Sequence, residues 1–262
     1  MGFHRRAFTV SITCVARFMV VRDRVLGLCG WAPRGDFSGQ PASRHSIESA
    51  GSLLDAVFVE PAAGPPQAAL LICHGIGETV GGWLPVQQLL AAGGVASLVF
   101  DYSGYGRSTG TADWERFEQD ALDAFARLEQ LAPGVPCSIL GFSLGSGIAA
   151  AVASRVNATN LILGEAFTSF RDAAGCAGIP AALAGLVPPI WNAGEALRNC
   201  QARILIVHGE KDGLFPVKMA CDLAALCPAT TELAVIPNVG HNQPFRRPNM
   251  DYWGPVIARL TA

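Results

Sequence analysis

The sequence predicts an α/β protein: a mostly parallel, doubly wound sheet with helices on both faces. Three observations carry that reading. Short, wholly apolar runs at Ala68–Cys73 and Val95–Phe100 have the length and composition of strands buried on both sides. Segments of helical period lie between such runs, and strands alternating with helices build parallel sheets through right-handed crossovers. Charged residues make up only 15% of the chain, below the usual quarter, which suits a sheet covered on both faces.

At 262 residues the chain can hold one large α/β domain or two small ones, with ample material for a core. A net charge of −2 offers no electrostatic basis for a nucleic-acid partner. The eight cysteines form no CxxC pair and no Cys/His cluster with zinc spacing. Several, among them Cys73 and Cys137, sit in apolar strand-like runs and read as reduced thiols, which favours a reducing, cytoplasmic setting. Residues 79–100, 130–154 and 173–194 carry no charge, but Pro and Gly break each of them. The first two resolve into helix–strand and strand–turn–helix units rather than membrane spans.

Taken in order, residues 1–46 form an N-terminal extension. Arg5, Arg6, Ala7 and Phe8 resemble a twin-arginine export signal, but Arg17 interrupts the apolar run behind them and no small-residue cleavage site follows. The 32–46 portion, rich in Gly, Pro, Ser and Arg, reads as a linker. Order is expected from Ile47, with a half-buried strand at 53–60. Residues 83–92 read as a helix closed by Gly93 and Gly94. The clearest helix spans 113–132: Trp114, Phe117, Ala121, Phe125, Leu128 and Ala132 fall on one stripe, and Asp113 is its N-cap. Further strands are expected at 136–141, 161–164, 203–208 and 232–236. Helices are expected to about Arg155, near 216–226 and over 250–261. The interval 166–200 breaks the alternation, and an excursion of that length is usually functional or disordered.

The chain is organised around Gly141-Phe142-Ser143-Leu144-Gly145, which ends an apolar run and opens a small-residue helix. This is G-x-S-x-G in its strand–turn–helix context. So sharp a turn strains the serine backbone and leaves no room for flanking side chains, which Gly141 and Gly145 remove. The Ser143 hydroxyl then stands at the sheet's edge, at the positive end of the following helix. A serine hydroxyl is a weak nucleophile. It needs a base to take its proton, and an acid to hold that base in the right tautomer. Asp212 and His241 each follow a later strand, in the order Ser…Asp…His, at the strand ends where such a sheet builds its site. Glu165, at the end of an intervening strand, is the rival acid, and Glu210 a weaker one. Two backbone N–H groups must meet the developing oxyanion. Leu144 supplies one, and Ile76 the other, from the loop His74-Gly75-Ile76-Gly77-Glu78. The side chains of His74 and His208 are expected to be structural.

With these pieces in place, the chain resembles α/β-hydrolase-fold serine hydrolases over roughly residues 47–262. The resemblance rests on residues 74–78, 101–108 (Asp-Tyr-Ser-Gly-Tyr-Gly-Arg-Ser), 141–145, 208–212 and 240–242. Within the fold, the pattern is similar to monoglyceride-lipase-like, acyl-protein-depalmitoylase-like and serine-aminopeptidase-like members. The resemblance implies an α/β-hydrolase domain with a small cap insertion at about 166–200. It also implies Ser143 as nucleophile, Asp212 as acid, His241 as base, and Ile76 and Leu144 as oxyanion donors. Residues 101–108 would form a structural turn, from which Tyr102 or Tyr105 could touch substrate.

The cap candidate runs without charge over 173–194 and includes Leu183, Leu186, Val187, Ile190 and Trp191. Three readings stay open: a small helical cap packed on the domain, an apolar wall for an acyl chain with Leu186 and Trp191 against the substrate, or a contact with a lipid surface. The expected activity is hydrolysis of a small-molecule carboxylic ester or thioester with a hydrophobic acyl group, through an acyl-enzyme. Nothing in it calls for a metal or an organic cofactor. Aminopeptidase-type amide hydrolysis and acyl transfer remain alternatives. A silent binding protein is disfavoured, since it has no reason to keep an exposed, strained serine.

Overall fold

The computed structural model describes residues 42–228 and 230–262. The first half of this chain runs β1 (Ala42–Ser49), β2 (Ser52–Val59), β3 (Ala68–Cys73), α1 (Val80–Ala92), β4 (Val95–Phe100), α2 (Trp114–Leu131), β5 (Cys137–Phe142) and α3 (Leu144–Ala153). Then come β6 (Asn160–Gly164), α4 (Phe170–Cys176), a 3-10 turn at Ala181–Leu186, α5 (Ala193–Ala196) and a second 3-10 turn at Leu197–Asn199. The chain closes with β7 (Arg203–Gly209), α6 (Val217–Leu226), β8 (Glu232–Ile236), α7 (Gln243–Arg246) and α8 (Met250–Leu260).

The eight strands form one sheet in the order β1-β2-β4-β3-β5-β6-β7-β8. The β1–β2 and β2–β4 pairs are antiparallel, and every later pair is parallel. Strand side chains alternate between two apolar layers, as a period of two requires. Ala69, Leu71 and Cys73 of β3 join the layer holding Phe117, Phe125 and Ile148 of α2 and α3. Ala68, Leu70 and Ile72 join the opposite layer, with Trp83 and Val86 of α1 and Trp253 and Val256 of α8.

The predicted elements appear close to their expected ends, with two differences. Ala42–Ser49 is a strand, not the end of a linker. Among the described residues it pairs with β2 alone, and its first five residues are partly or wholly exposed. Such an edge strand needs backbone pairing rather than an apolar run, so its polar sequence carries no strand signal. The short helix α7 was also not anticipated. Residues 1–41, on which the export reading falls, lie outside the described residues. Among the described residues, no helix is long and apolar enough to cross a membrane. The uncharged stretch 79–100 is α1 with β4, and 130–154 is β5 with α3. The cysteines among the described residues, Cys73 and Cys137 included, are free thiols.

The parallel register gathers the site. Cys73 pairs with Gly141, Phe142 with Gly164, Gly164 with Val207, and Gly209 with Ile236. The loops after β3, β5, β6, β7 and β8 therefore leave the sheet side by side, at the carboxyl ends of its strands.

Candidate active site

Ser143 sits between β5 and α3 with φ 52° and ψ −119°, a left-handed conformation that is strained for any residue with a Cβ. Its backbone N–H donates to the Gly164 carbonyl at 2.9 Å, and its own carbonyl accepts the Ser146 hydroxyl at 2.7 Å. A Cβ on Gly141 would run into the Gly145 carbonyl, and one on Gly145 into the Cys73 carbonyl. Both obstacles are backbone, so only glycine fits at either position.

His241, in the loop after β8, bridges Ser143 and Asp212. Its Nε2 lies 2.9 Å from Ser143 Oγ, and its Nδ1 lies 2.7 Å from Asp212 Oδ2. The other Asp212 oxygen accepts the N–H groups of Leu214 and Phe215 at 2.7 and 2.8 Å. Burial pushes the Asp212 carboxyl up. Hydrogen bonds from His241, Glu165 and the Phe215 backbone, with the charge of His241, outweigh it and hold Asp212 below the usual carboxylate range. The edge of the Phe215 ring meets His241 at 90° and 5.1 Å, which fixes the imidazole from the side. Of the two candidate acids, Asp212 reaches the histidine, while Glu165 lies behind it. Glu210 instead accepts from the Asn238 N–H.

Leu144 is the first residue of α3, so its N–H has no carbonyl partner within the helix. Across from it, the loop after β3 carries Ile76, and both residues line the same pocket as Ser143. That loop is built from behind. His74 is fully buried, with Nδ1 2.8 Å from the Gly75 carbonyl and Nε2 3.4 Å from Asp101. The Tyr102 hydroxyl donates to the His74 carbonyl at 3.0 Å. Glu78 accepts the Gly75 N–H at 2.8 Å and the Trp83 indole N–H at 2.9 Å. The sequence singled out His74 but missed Glu78, whose only signal was a second polar residue in a glycine loop. His208 is also buried, with Nε2 2.9 Å from the Phe215 carbonyl.

A cavity of about 160 Å³ opens beside Ser143. Trp114, Phe167, Phe170 and Phe215 wall it, and Ala173, Ala174, Ile179, Val187 and Pro188 enclose it from the 166–200 interval. Among the described residues, no charged side chain lines it. The predicted substrate contacts are corrected here. Tyr105 is fully buried against His74, Tyr102 and Phe117, because the 101–108 turn packs into the core rather than toward the pocket. Leu186 and Trp191 stand outside the lining. Trp191 packs on Trp114 and Phe170 and donates its indole N–H to Glu118 at 3.1 Å, so it supports the wall from behind. The wall aromatics were visible only as ordinary core residues: Trp114 on a helix stripe, Phe167 and Phe170 after β6, and Phe215 three residues past Asp212.

A family model described as serine aminopeptidase, S33, matches residues 64–187, somewhat under half of the chain. An uncharacterized protein of Mycobacterium tuberculosis is 27% identical over 209 residues, covering 78% of this chain and 74% of its own length. Lysophosphatidylserine lipase ABHD12 of Macaca fascicularis is 28% identical over 192 residues, 66% of this chain and 48% of that protein. The monoglyceride lipase of Homo sapiens is 32% identical over 111 residues, 40% of this chain and 36% of that one. The chain thus spans about half or less of these two lipases. Among solved structures, an α/β hydrolase from Vibrio vulnificus superposes with a TM-score of 0.75 at 19% identity, covering 99% of this chain and 98% of that one. The esterase Pf2001 of Pyrococcus furiosus gives 0.70 at 17%, covering 88% and 99%.

Proposed function

We propose that this chain, an α/β hydrolase by its fold and its relatives, cleaves carboxylic esters or thioesters with a hydrophobic acyl group through a Ser143 acyl-enzyme. One observation carries the reading: His241 spans Ser143 Oγ and Asp212 at the mouth of a pocket without charged lining. Ser143 Oγ attacks the acyl carbon as His241 Nε2 takes its proton, and Asp212 holds Nδ1–H and stabilises the imidazolium. The N–H groups of Leu144 and Ile76 receive the oxyanion, the charge that most needs fixed donors. Collapse of the tetrahedral intermediate expels the alcohol or thiol, which takes the proton back from His241. Water, activated by the same histidine, then releases the acid.

The pocket gives the acyl chain an apolar place beside the nucleophile, and the 166–200 interval serves as its cap. The lipase relatives fit this reading. The serine aminopeptidase description of the matching family model favours amide hydrolysis as a second reading. Against it, recognition of a free amino group calls for an acidic side chain, and the pocket lining has none.

The test is hydrolysis of p-nitrophenyl esters from acetate to palmitate, by the wild type and by Ser143→Ala, beside aminoacyl p-nitroanilides. Ester turnover with an optimum beyond acetate, abolished by the substitution, is expected. Anilide turnover alone would transfer the site to the peptidase reading. No turnover, together with no labelling of Ser143 by a fluorophosphonate, would remove the hydrolase reading altogether.

A further inference from the structure

A second carboxyl stands directly behind Asp212. Glu165 follows β6 with φ 47°, another left-handed residue with a Cβ, and its side chain is wholly buried. Its Oε1 accepts the Gly209 N–H at 2.9 Å. Its Oε2 is cut off from water, has no well-formed hydrogen bond among the described residues, faces the Tyr252 hydroxyl, and lies 3.7 Å from His208 Nε2. Glu165, Asp212 and His241 bring one polar atom each within 4.8 Å of one another.

Two buried carboxyls this close do not both ionise, so one proton is held between them. The donors decide where it rests. Asp212 receives Leu214 N–H, Phe215 N–H and His241 Nδ1–H, and has His208 Nε2 at 3.4 Å, whereas Glu165 receives one backbone N–H and faces the Tyr252 hydroxyl. The charge settles on Asp212 and the proton on Glu165. A proton on Oε2 makes the orphaned oxygen a donor, and Asp212, with an oxygen within 4.8 Å of the Glu165 carboxyl, is the acceptor at hand.

We propose that Glu165 is a neutral carboxylic acid that donates to the Asp212 carboxylate, making it a positioning residue for the acid of the Ser143–His241–Asp212 site. Burial pushes the Glu165 carboxyl up to about 10, and the neighbouring Asp212 adds to the shift. The groups facing it are Asp212, His241 and Gly209 from the strand-end loops, His208 on β7, and the Tyr252 hydroxyl from α8. His208 does not compete for the proton, since burial favours its neutral form. By sharing a proton with Asp212, Glu165 fixes that carboxylate and tempers its field on the imidazole. The functional meaning rests on the hydrolase reading above. The location of the proton does not.

Infrared difference spectra of the wild type against Glu165→Gln at pH 7 test it without turnover. The carbonyl stretch of a protonated carboxyl should be present in the wild type, shift in heavy water, and vanish in the variant. Its absence from the wild type would overturn the proposal. For activity, Glu165→Gln keeps both neutrality and a donor, so kcat/KM should stay within about threefold and its acid limb should not move. Glu165→Leu removes the donor, so the acid limb should rise by about 0.5 to 1 pH unit. An ionised Glu165 predicts the reverse: Glu165→Gln would lower the limb by about one unit. A purely structural role predicts a lower melting temperature for Glu165→Leu with an unmoved limb, which would also refute the proposal. If Ser143 proves unreactive, the hydrolase reading fails and the infrared band still decides where the proton rests.

Discussion

The turn at Ser143 and the uncharged stretch 173–194 both contain a strained residue, and they tolerate it in different ways. Ser143, at φ 52°, is locked by backbone: glycines on both sides abut carbonyls, and its N–H and C=O are both bonded. Trp191, at φ 49°, is held by side chains, with its ring packed on Trp114 and Phe170 and its indole on Glu118. Backbone constraints admit one residue type, whereas side-chain packing admits many of similar volume. The first region can therefore be recognised from five residues, and the second cannot.

The contrast is sharpest at the glycines. Gly145→Ala would drive a methyl into the Cys73 carbonyl, and we expect activity to fall below detection with a clear loss of stability. Circular dichroism melts and fluorophosphonate labelling would measure both. Asp212→Asn leaves the shape of the site intact but favours the wrong imidazole tautomer, so kcat should fall by about 10³ to 10⁴. Wild-type-like kcat would mean that Glu165 can act as the acid. In the second region, Ala174→Phe fills part of the pocket. It should cut kcat/KM for long acyl esters by about 10- to 100-fold and spare the acetate. An equal loss across the series would mean that the acyl chain lies elsewhere.

A smaller effect follows from Glu165. Its folded form keeps the proton to about 10, while the unfolded chain releases it near 4.5. Between these values the native state holds more protons, so this group lowers stability as pH rises, by at most ~1.4 kcal/mol per pH unit. Melts of Glu165→Gln should match the wild type near pH 4 and exceed it increasingly toward pH 9. Asp212 acts in the opposite sense: its lowered carboxyl favours folding above the unfolded value and loses that contribution as the pH falls through the folded one. The smallest effect is expected for Gly175→Ala in α4, where a Cβ meets nothing within 4 Å. Stability should stay level or rise by up to ~1 kcal/mol, against the collapse expected at Gly145.

The fold was legible because its strands, buried on both faces, could hardly be anything else. Ala68–Cys73 and Val95–Phe100 were placed to the residue. Strand β1 was missed because a strand that pairs on one side among the described residues needs no apolar run. The site was legible where chemistry restricts residue type. Ser143, Asp212 and His241 stand together as their order suggested. The pocket wall was not, since Tyr105 and Trp191 had the right composition for it but pack against other residues, and Leu186 stands outside the lining.

By itself, then, the sequence determined the elements, their order and the three residues that meet at the strand ends, because backbone geometry and acid–base chemistry each leave few residues to choose from. Only the tertiary structure decided that Phe167, Phe170 and Phe215 face the pocket while Tyr105 and Trp191 turn away. It alone also placed the buried Glu165 carboxyl against Asp212. Side-chain direction and local dielectric arise from contacts between residues far apart in the chain, and no local pattern records them.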